Sequence, residues 1–116
     1  MRIFFKMVSA SAILVAALSS GLAADGKPHR VTVQVDQNDP AVMNLALNNV
    51  SNIMEMYKAK GEHVQIEIVA YGPGLHMLRD DTSPVKDRLK QISDLGLPSE
   101  IRFSACNNTR EGMEKA

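Results

Sequence analysis

Arg30-Val31-Thr32-Val33-Gln34-Val35, followed by Asp36-Gln37-Asn38 and then Asp39-Pro40, is the stretch that decides the fold. Valines at alternate positions give the period of two of a strand, and their β-branched side chains suit a pleated surface. The strand stops at Asp36-Gln37-Asn38, where short polar side chains favour a turn. Asp39 offers a carboxylate to cap a helix, and Pro40 has the backbone angle suited to the first helical position. A strand that hands over to a helix so quickly is the first half of a βαβ unit.

Reading outward, the helical period continues to Lys60 with Gly61 as its stop, and Met43, Leu47, Val50, Met54 and Tyr57 form the stripe to be buried. Val64 to Ala70 is a second strand with Val64, Ile66, Ile68 and Ala70 on one face, and it breaks at Tyr71-Gly72-Pro73-Gly74. Leu75 to Arg79 has room for one helical turn. Ser83-Pro84 repeats the pairing of cap and proline, and Val85, Leu89, Ile92 and Leu95 mark a helix stopped by Gly96. Pro98-Ser99 leads into a third strand, Ile101 to Ser104, and Asn108 or Thr109 is placed to cap a third helix from Arg110. The order βαβαβα, with connections long enough for parallel crossovers, predicts an α/β fold with a doubly wound parallel sheet.

The first two dozen residues read differently. Arg2 and Lys6 precede an uncharged apolar run from Met7 to Leu18, and Ser19-Ser20-Gly21-Leu22-Ala23-Ala24 supplies a small-residue exit. This is the pattern of a secretory signal peptide over residues 1–23, cleaved after Ala23 or Ala24. The run is shorter than the roughly 20 apolar residues that span a bilayer. The expected mature protein, residues 24–116, is one small soluble domain, exported to a bacterial periplasm, with no membrane attachment after cleavage. Loss of Arg2 and Lys6 leaves eleven basic residues against 13 acidic ones, so no nucleic-acid footprint is expected.

Ligands of open α/β sheets bind outside the carboxyl ends of the strands. Three loops are therefore expected at one rim: Asp36-Gln37-Asn38, Tyr71-Gly72-Pro73-Gly74 and Ala105-Cys106-Asn107-Asn108. Cys106 is the single cysteine, so it forms no disulfide within the chain. Beside a helix N-terminus its thiolate would be favoured; the alternative is a small buried hydrophobe. Alternation places Arg102, Ser104 and Cys106 on one strand face and Ile101, Phe103 and Ala105 on the other. His76 is placed to approach Cys106 across the rim as a base or second metal ligand, or else to serve as a surface or packing residue. Gly72 and Gly74 form the tight turn, with positive φ at one of them, and such a loop also presents N–H groups to an anion. With Asn107 and Asn108 these residues, Gly72, Gly74 and His76, make up the candidate ligand-binding set. Asn44, Asn48 and Asn52 recur every four residues as an amide stripe, either a solvated face or a packed subunit interface. There is no zinc signature, phosphate loop, dinucleotide fingerprint or Ser-His-Asp elbow, so neither metal nor cofactor is expected.

Val33-Gln34-Val35-Asp36, the helix carrying Asn48-Asn49, the loop Ala70-Tyr71-Gly72-Pro73-Gly74-Leu75 and Phe103-Ser104-Ala105-Cys106-Asn107-Asn108-Thr109 together resemble the exported branch of the DsrE/DsrF-like (YchN-like) family. The resemblance runs from about Arg30 onward. It implies a flavodoxin-like α/β fold, assembly as a homo-oligomer (trimer or hexamer), and a sulfur relay through a cysteine persulfide in which Cys106 would carry the sulfur. Proteins of this family continue past the cysteine helix into further strands, whereas this sequence ends at Glu111-Gly112-Met113-Glu114-Lys115-Ala116, so the fold is expected to be incomplete at its C-terminus. Export also separates it from the reducing cytosol in which such relays operate.

Two function classes follow. One is a cysteine-based sulfur carrier, at most sulfurtransferase-like through Cys106, exchanging sulfur with a donor or acceptor protein. The other is a non-catalytic oligomeric module that uses the same rim to bind a small anion or a partner.

Overall fold

The structure is a computed structural model that describes residues 26–95 and 100–116. The expected signal peptide, Gly96 and Pro98-Ser99 lie outside the described residues. Strand β1 (His29–Val35) leads into helix α1 (Pro40–Ala59), strand β2 (Val64–Ala70), a 3-10 helix (Gly72–Leu78), helix α2 (Lys86–Asp94), strand β3 (Glu100–Ala105) and helix α3 (Asn107–Glu114). The strands form a parallel sheet in the order β1-β2-β3. This is an α/β, flavodoxin-like architecture.

The ends of α1 follow from the residues that mark them. Asp39 is the N-cap, its Oδ1 accepting the Ala41 N–H at 2.7 Å, and Pro40 occupies the first turn, where no N–H is needed. At the other end Gly61 takes φ +68. The Gly61 N–H donates to Lys58 O and the Glu62 N–H to Tyr57 O, both at 3.0 Å, the paired bonds of a Schellman stop.

Register builds the core. Val31, Ile66 and Ile101 lie side by side across the sheet, as do Val33, Ile68 and Phe103, and then Val35, Ala70 and Ala105. Met43, Ala46, Leu47 and Val50 of α1 are buried with Val35, Val64, Ile66 and Ile68, and Val85 and Ile92 extend the same cluster to α2. Met54 and Tyr57, expected in the buried stripe, are half-buried and pack against the edge of this cluster, the Tyr57 ring stacked on His29 at 4.5 Å between centroids. Both crossovers run in the same direction across the sheet. Crossovers of the usual right hand then deliver their helices to the same face, and α1 packs on β1, β2 and α2.

Several boundaries differ from the sequence expectation. The segment after β2 forms a 3-10 helix from Gly72 rather than a single turn from Leu75. Helix α2 begins at Lys86 with Val85 as its N-cap, not at Pro84; Ser83 Oγ accepts the Val85 N–H at 3.3 Å within the preceding turn instead of capping the helix. Helix α3 starts at Asn107, so its cap is Cys106 rather than Asn108 or Thr109.

The amide stripe on α1 also has a specific use. Arg88 of α2 donates from Nη1 to Asn44 Oδ1 at 2.6 Å and to Asn44 O at 3.2 Å, and from Nη2 to Asn48 Oδ1 at 2.7 Å. Asn44 and Asn48 thus receive the neighbouring helix, while Asn52 is exposed.

Candidate functional site

The carboxyl ends of the strands meet in one row, Val35, Ala70 and Ala105. Hydrogen bonding continues one residue further, from the Tyr71 N–H to Val35 O at 3.1 Å and from the Cys106 N–H to Ala70 O at 3.0 Å. The three loops expected at the rim are therefore adjacent, and the Cys106 backbone is fixed by the last step of the sheet. Asp36, Gln37 and Asn38 are exposed beside it.

Two glycines allow the middle loop to fit. Gly72 adopts φ +51, the left-handed region that glycine enters without a Cβ clash. Gly74 is buried against β1: a Cβ there would come within 2.8 Å of the Asp36 N atom and closer still to the Val35 carbonyl group. Their N–H groups are used inside the protein. Gly72 donates to Thr109 Oγ1 and Gly74 to Tyr71 O, each at 3.0 Å. The expected presentation of these N–H groups to an anion is thereby corrected, since both are already bonded.

Cys106 stands at the N-cap of α3 and is half-buried. Its pKa lies below the ordinary thiol value, mainly through the Thr109 backbone N–H, then the Thr109 hydroxyl, and last the Asn108 N–H; partial burial opposes them. No closed side-chain cap hydrogen bond forms, so these donors act electrostatically, and most strongly once the sulfur is charged. The Thr109 hydroxyl oxygen accepts the Gly72 N–H, which leaves its own hydrogen free to point at the sulfur. Sequence reasoning had Thr109 only as a helix cap. The spacing Cys-x-x-Thr, an N-cap and its third helical residue, is the signal that carries its role.

The remaining candidates separate from the thiol. His76 Nδ1 lies 2.8 Å from Thr82 Oγ1, so the expected approach of His76 to Cys106 as base or ligand is corrected: the 3-10 helix turns it toward the following loop. Asn107 is held by α3 itself, its Nδ2 donating to Glu111 Oε1 at 2.7 Å and its Oδ1 accepting from Arg110 at 2.9 Å. This contact ties the Glu111 carboxylate to Asn107, and Glu111 does not contribute to the Cys106 shift. Asn108 contributes its backbone N–H. The loop and α3 are further joined across a cleft of about 280 Å³ lined by Leu75, Arg79, Arg110, Met113 and Glu114. Arg79 there is committed to Asp81 by a two-pronged contact at 2.8 and 2.6 Å, which holds the Asp81 carboxyl at about 2. No group of three His, Cys, Asp or Glu side chains able to hold a metal ion occurs among the described residues.

What the fold and site define is an α/β parallel sheet with Cys106 at its carboxyl rim, at the N-cap of α3. A protein of unknown function from Methanobacterium thermoautotrophicum, MTH1491, has a structure similar to this one, with a TM-score of 0.61 and 34% sequence identity over 74% of this chain and 69% of that one. The chain belongs to the same family as that protein. No family model and no curated protein matches the chain.

Proposed function

We propose that this protein is an exported, cysteine-based sulfur carrier of the DsrE-like kind, in which Cys106 accepts a sulfane sulfur and passes it on. The observation that supports the reading is the lowered pKa of Cys106 at the N-cap of α3, produced by Thr109 and Asn108. A thiolate is the nucleophile in sulfur exchange, and a thiol of ordinary pKa, about 8.5, is only a few per cent ionised at neutral pH. The Cys106 thiolate attacks the outer sulfur of a donor persulfide, R–S–SH. A new S–S bond forms at Cys106, the donor's S–S bond breaks, and the donor leaves as its thiolate R–S⁻. The proton stays on the transferred sulfur, and a second thiolate reverses the exchange at the acceptor. No external oxidant or reductant is required.

The N-cap donors are suited to both ends of this exchange, because each end carries negative charge on sulfur beside a helix N-terminus. The test combines alkylation kinetics with mass spectrometry after exposure to a small persulfide donor. Faster alkylation than a free thiol at neutral pH, and a persulfide on the wild type that is missing from Cys106→Ser, are expected. An alkylation rate no higher than that of a free thiol, together with no persulfide, would replace this reading with that of a partner-binding module.

A further inference from the structure

Asp36, Tyr71 and Cys106 are the first residues beyond the last registered row of the sheet, Val35, Ala70 and Ala105. Their places are fixed by the backbone: the Tyr71 N–H donates to Val35 O at 3.1 Å and the Cys106 N–H to Ala70 O at 3.0 Å. Tyr71, at φ −146 and ψ 166, and Cys106, at φ −65 and ψ 118, keep extended backbone. Strand alternation therefore carries through both, and they fall on one side of the sheet, one strand spacing or about 4.8 Å apart. Asp36 is a second spacing away, about 10 Å from Cys106, where salt screens its charge. Tyr71 is thus the neighbour of the thiol on the adjoining strand, by register alone and whatever lies over the sheet.

Other polar side chains near Cys106 are already engaged. Ser104 donates to Glu67 Oε1 at 2.6 Å, Asn107 to Glu111 Oε1 at 2.7 Å, and His76 faces Thr82. Thr109 and the Asn108 N–H serve the attacking sulfur. The sulfur that departs has none of these. In the exchange described above three sulfurs stand in a row, and two S–S lengths put the leaving one about 4 Å beyond Cys106. A phenol reaches further from the sheet than a thiol on the adjoining strand, which suits it to that departing sulfur. We propose that the Tyr71 hydroxyl is the leaving-group donor of this site, giving a hydrogen bond to the thiolate R–S⁻ as the donor's S–S bond breaks and the new S–S bond forms at Cys106. A phenol is a weaker acid than an alkyl thiol, so the proton stays on the oxygen and the donor departs as its thiolate. The inference rests on the Cys106 reading and adds the class of donor that the site suits. Alkyl persulfides are that class, because their basic thiolates leave slowly without help.

Two neutral disulfides test it on the purified protein, with the mixed disulfide at Cys106 followed by mass spectrometry. Hydroxyethyl disulfide releases a basic alkyl thiolate, whereas dithiodipyridine releases one that its own ring stabilises. Tyr71→Phe keeps the ring and removes the hydroxyl. It is expected to slow exchange with the alkyl disulfide about tenfold; Tyr71 is 36% exposed, so water competes and the loss stays below the hundredfold of an enclosed donor. With dithiodipyridine the loss is expected to be less than about twofold. Alkylation by iodoacetamide, which releases no thiolate, should keep its wild-type rate and pH midpoint. No loss with the alkyl disulfide, equal losses with both disulfides, or a shifted alkylation midpoint would each overturn the proposal while leaving Cys106 as the sulfur carrier. Failure of the Cys106 reading looks different: the wild type then alkylates and exchanges no faster than a free thiol, and this inference falls with it.

Discussion

Thr109 links loop and thiol through one hydroxyl, which accepts from Gly72, keeps its own hydrogen free to donate and contributes to the lowered pKa of Cys106. Thr109→Val is expected to raise the pH midpoint of Cys106 alkylation, while Thr109→Ser leaves it nearly unchanged. The sign of the linked stability effect follows from the depressed pKa. Thiolate stabilisation is fully present above the unfolded thiol pKa and is lost as pH falls through the folded one. Cys106→Ser should therefore cost more stability at alkaline pH than at pH 6, as read from denaturant midpoints at both. Gly74→Ala forces a methyl group into the Val35 carbonyl and should destabilise by about 3 kcal/mol. Gly112→Ala meets nothing within 4 Å on exposed α3 and should stabilise by about 0.5 to 1 kcal/mol. The position of Cys106 at the rim was legible in the sequence from its place between a strand and a polar turn. The failure of His76 to reach it was not, because the direction of a loop side chain depends on the turn that precedes it.

At the scale of elements, α1 was legible to within a residue at each end because its limits are local chemistry: a capping carboxylate, a proline and a glycine stop. Asp39→Ala should cost about 1 kcal/mol in a urea titration. Strand β2 was read to the residue, since Val64, Ile66, Ile68 and Ala70 are buried on one face and alternate without a break. The start of α2 was misread because Ser83-Pro84 imitates a helix start while forming a turn. The asparagine stripe offered two meanings, and neither is what joins the helices. Its partner, Arg88, lies 40 residues from Asn48, and spacing within one helix carries no information about its neighbour. Arg88→Met is expected to destabilise by about 1 to 2 kcal/mol, whereas Asn52→Glu, on the exposed side of α1, should be close to neutral. Coupling between Arg88→Met and Asn48→Ala in a double-mutant cycle checks the assignment.

At the scale of the whole molecule, the described residues form a three-stranded parallel sheet in the order β1-β2-β3, with α1 packed on β1, β2 and α2. A domain of this size buries only about 60 to 65% of its unfolded surface, so its stability margin is thin. Thermal unfolding of residues 25–116 is expected to depend on protein concentration, and a cooperative, concentration-independent transition of a monomer would contradict this. N-terminal sequencing of the exported protein is expected to begin at Ala24 or Asp25; retention of Met1 would refute processing. The sequence by itself determined the alternation of strand and helix, the apolar face of each strand and the presence of one thiol at a strand end. Those properties are written in periods of two and 3.6 residues and in capping chemistry that acts over a few positions. Only the tertiary structure decided that Cys106 is itself the helix cap, that Gly72 and Thr109 are bonded, that Arg88 reads the asparagines, and that Arg30, Glu67, Glu100 and Arg102 share one face. Each of these depends on the register between strands or on the packing of one element against another, and so on contacts between residues far apart in the chain.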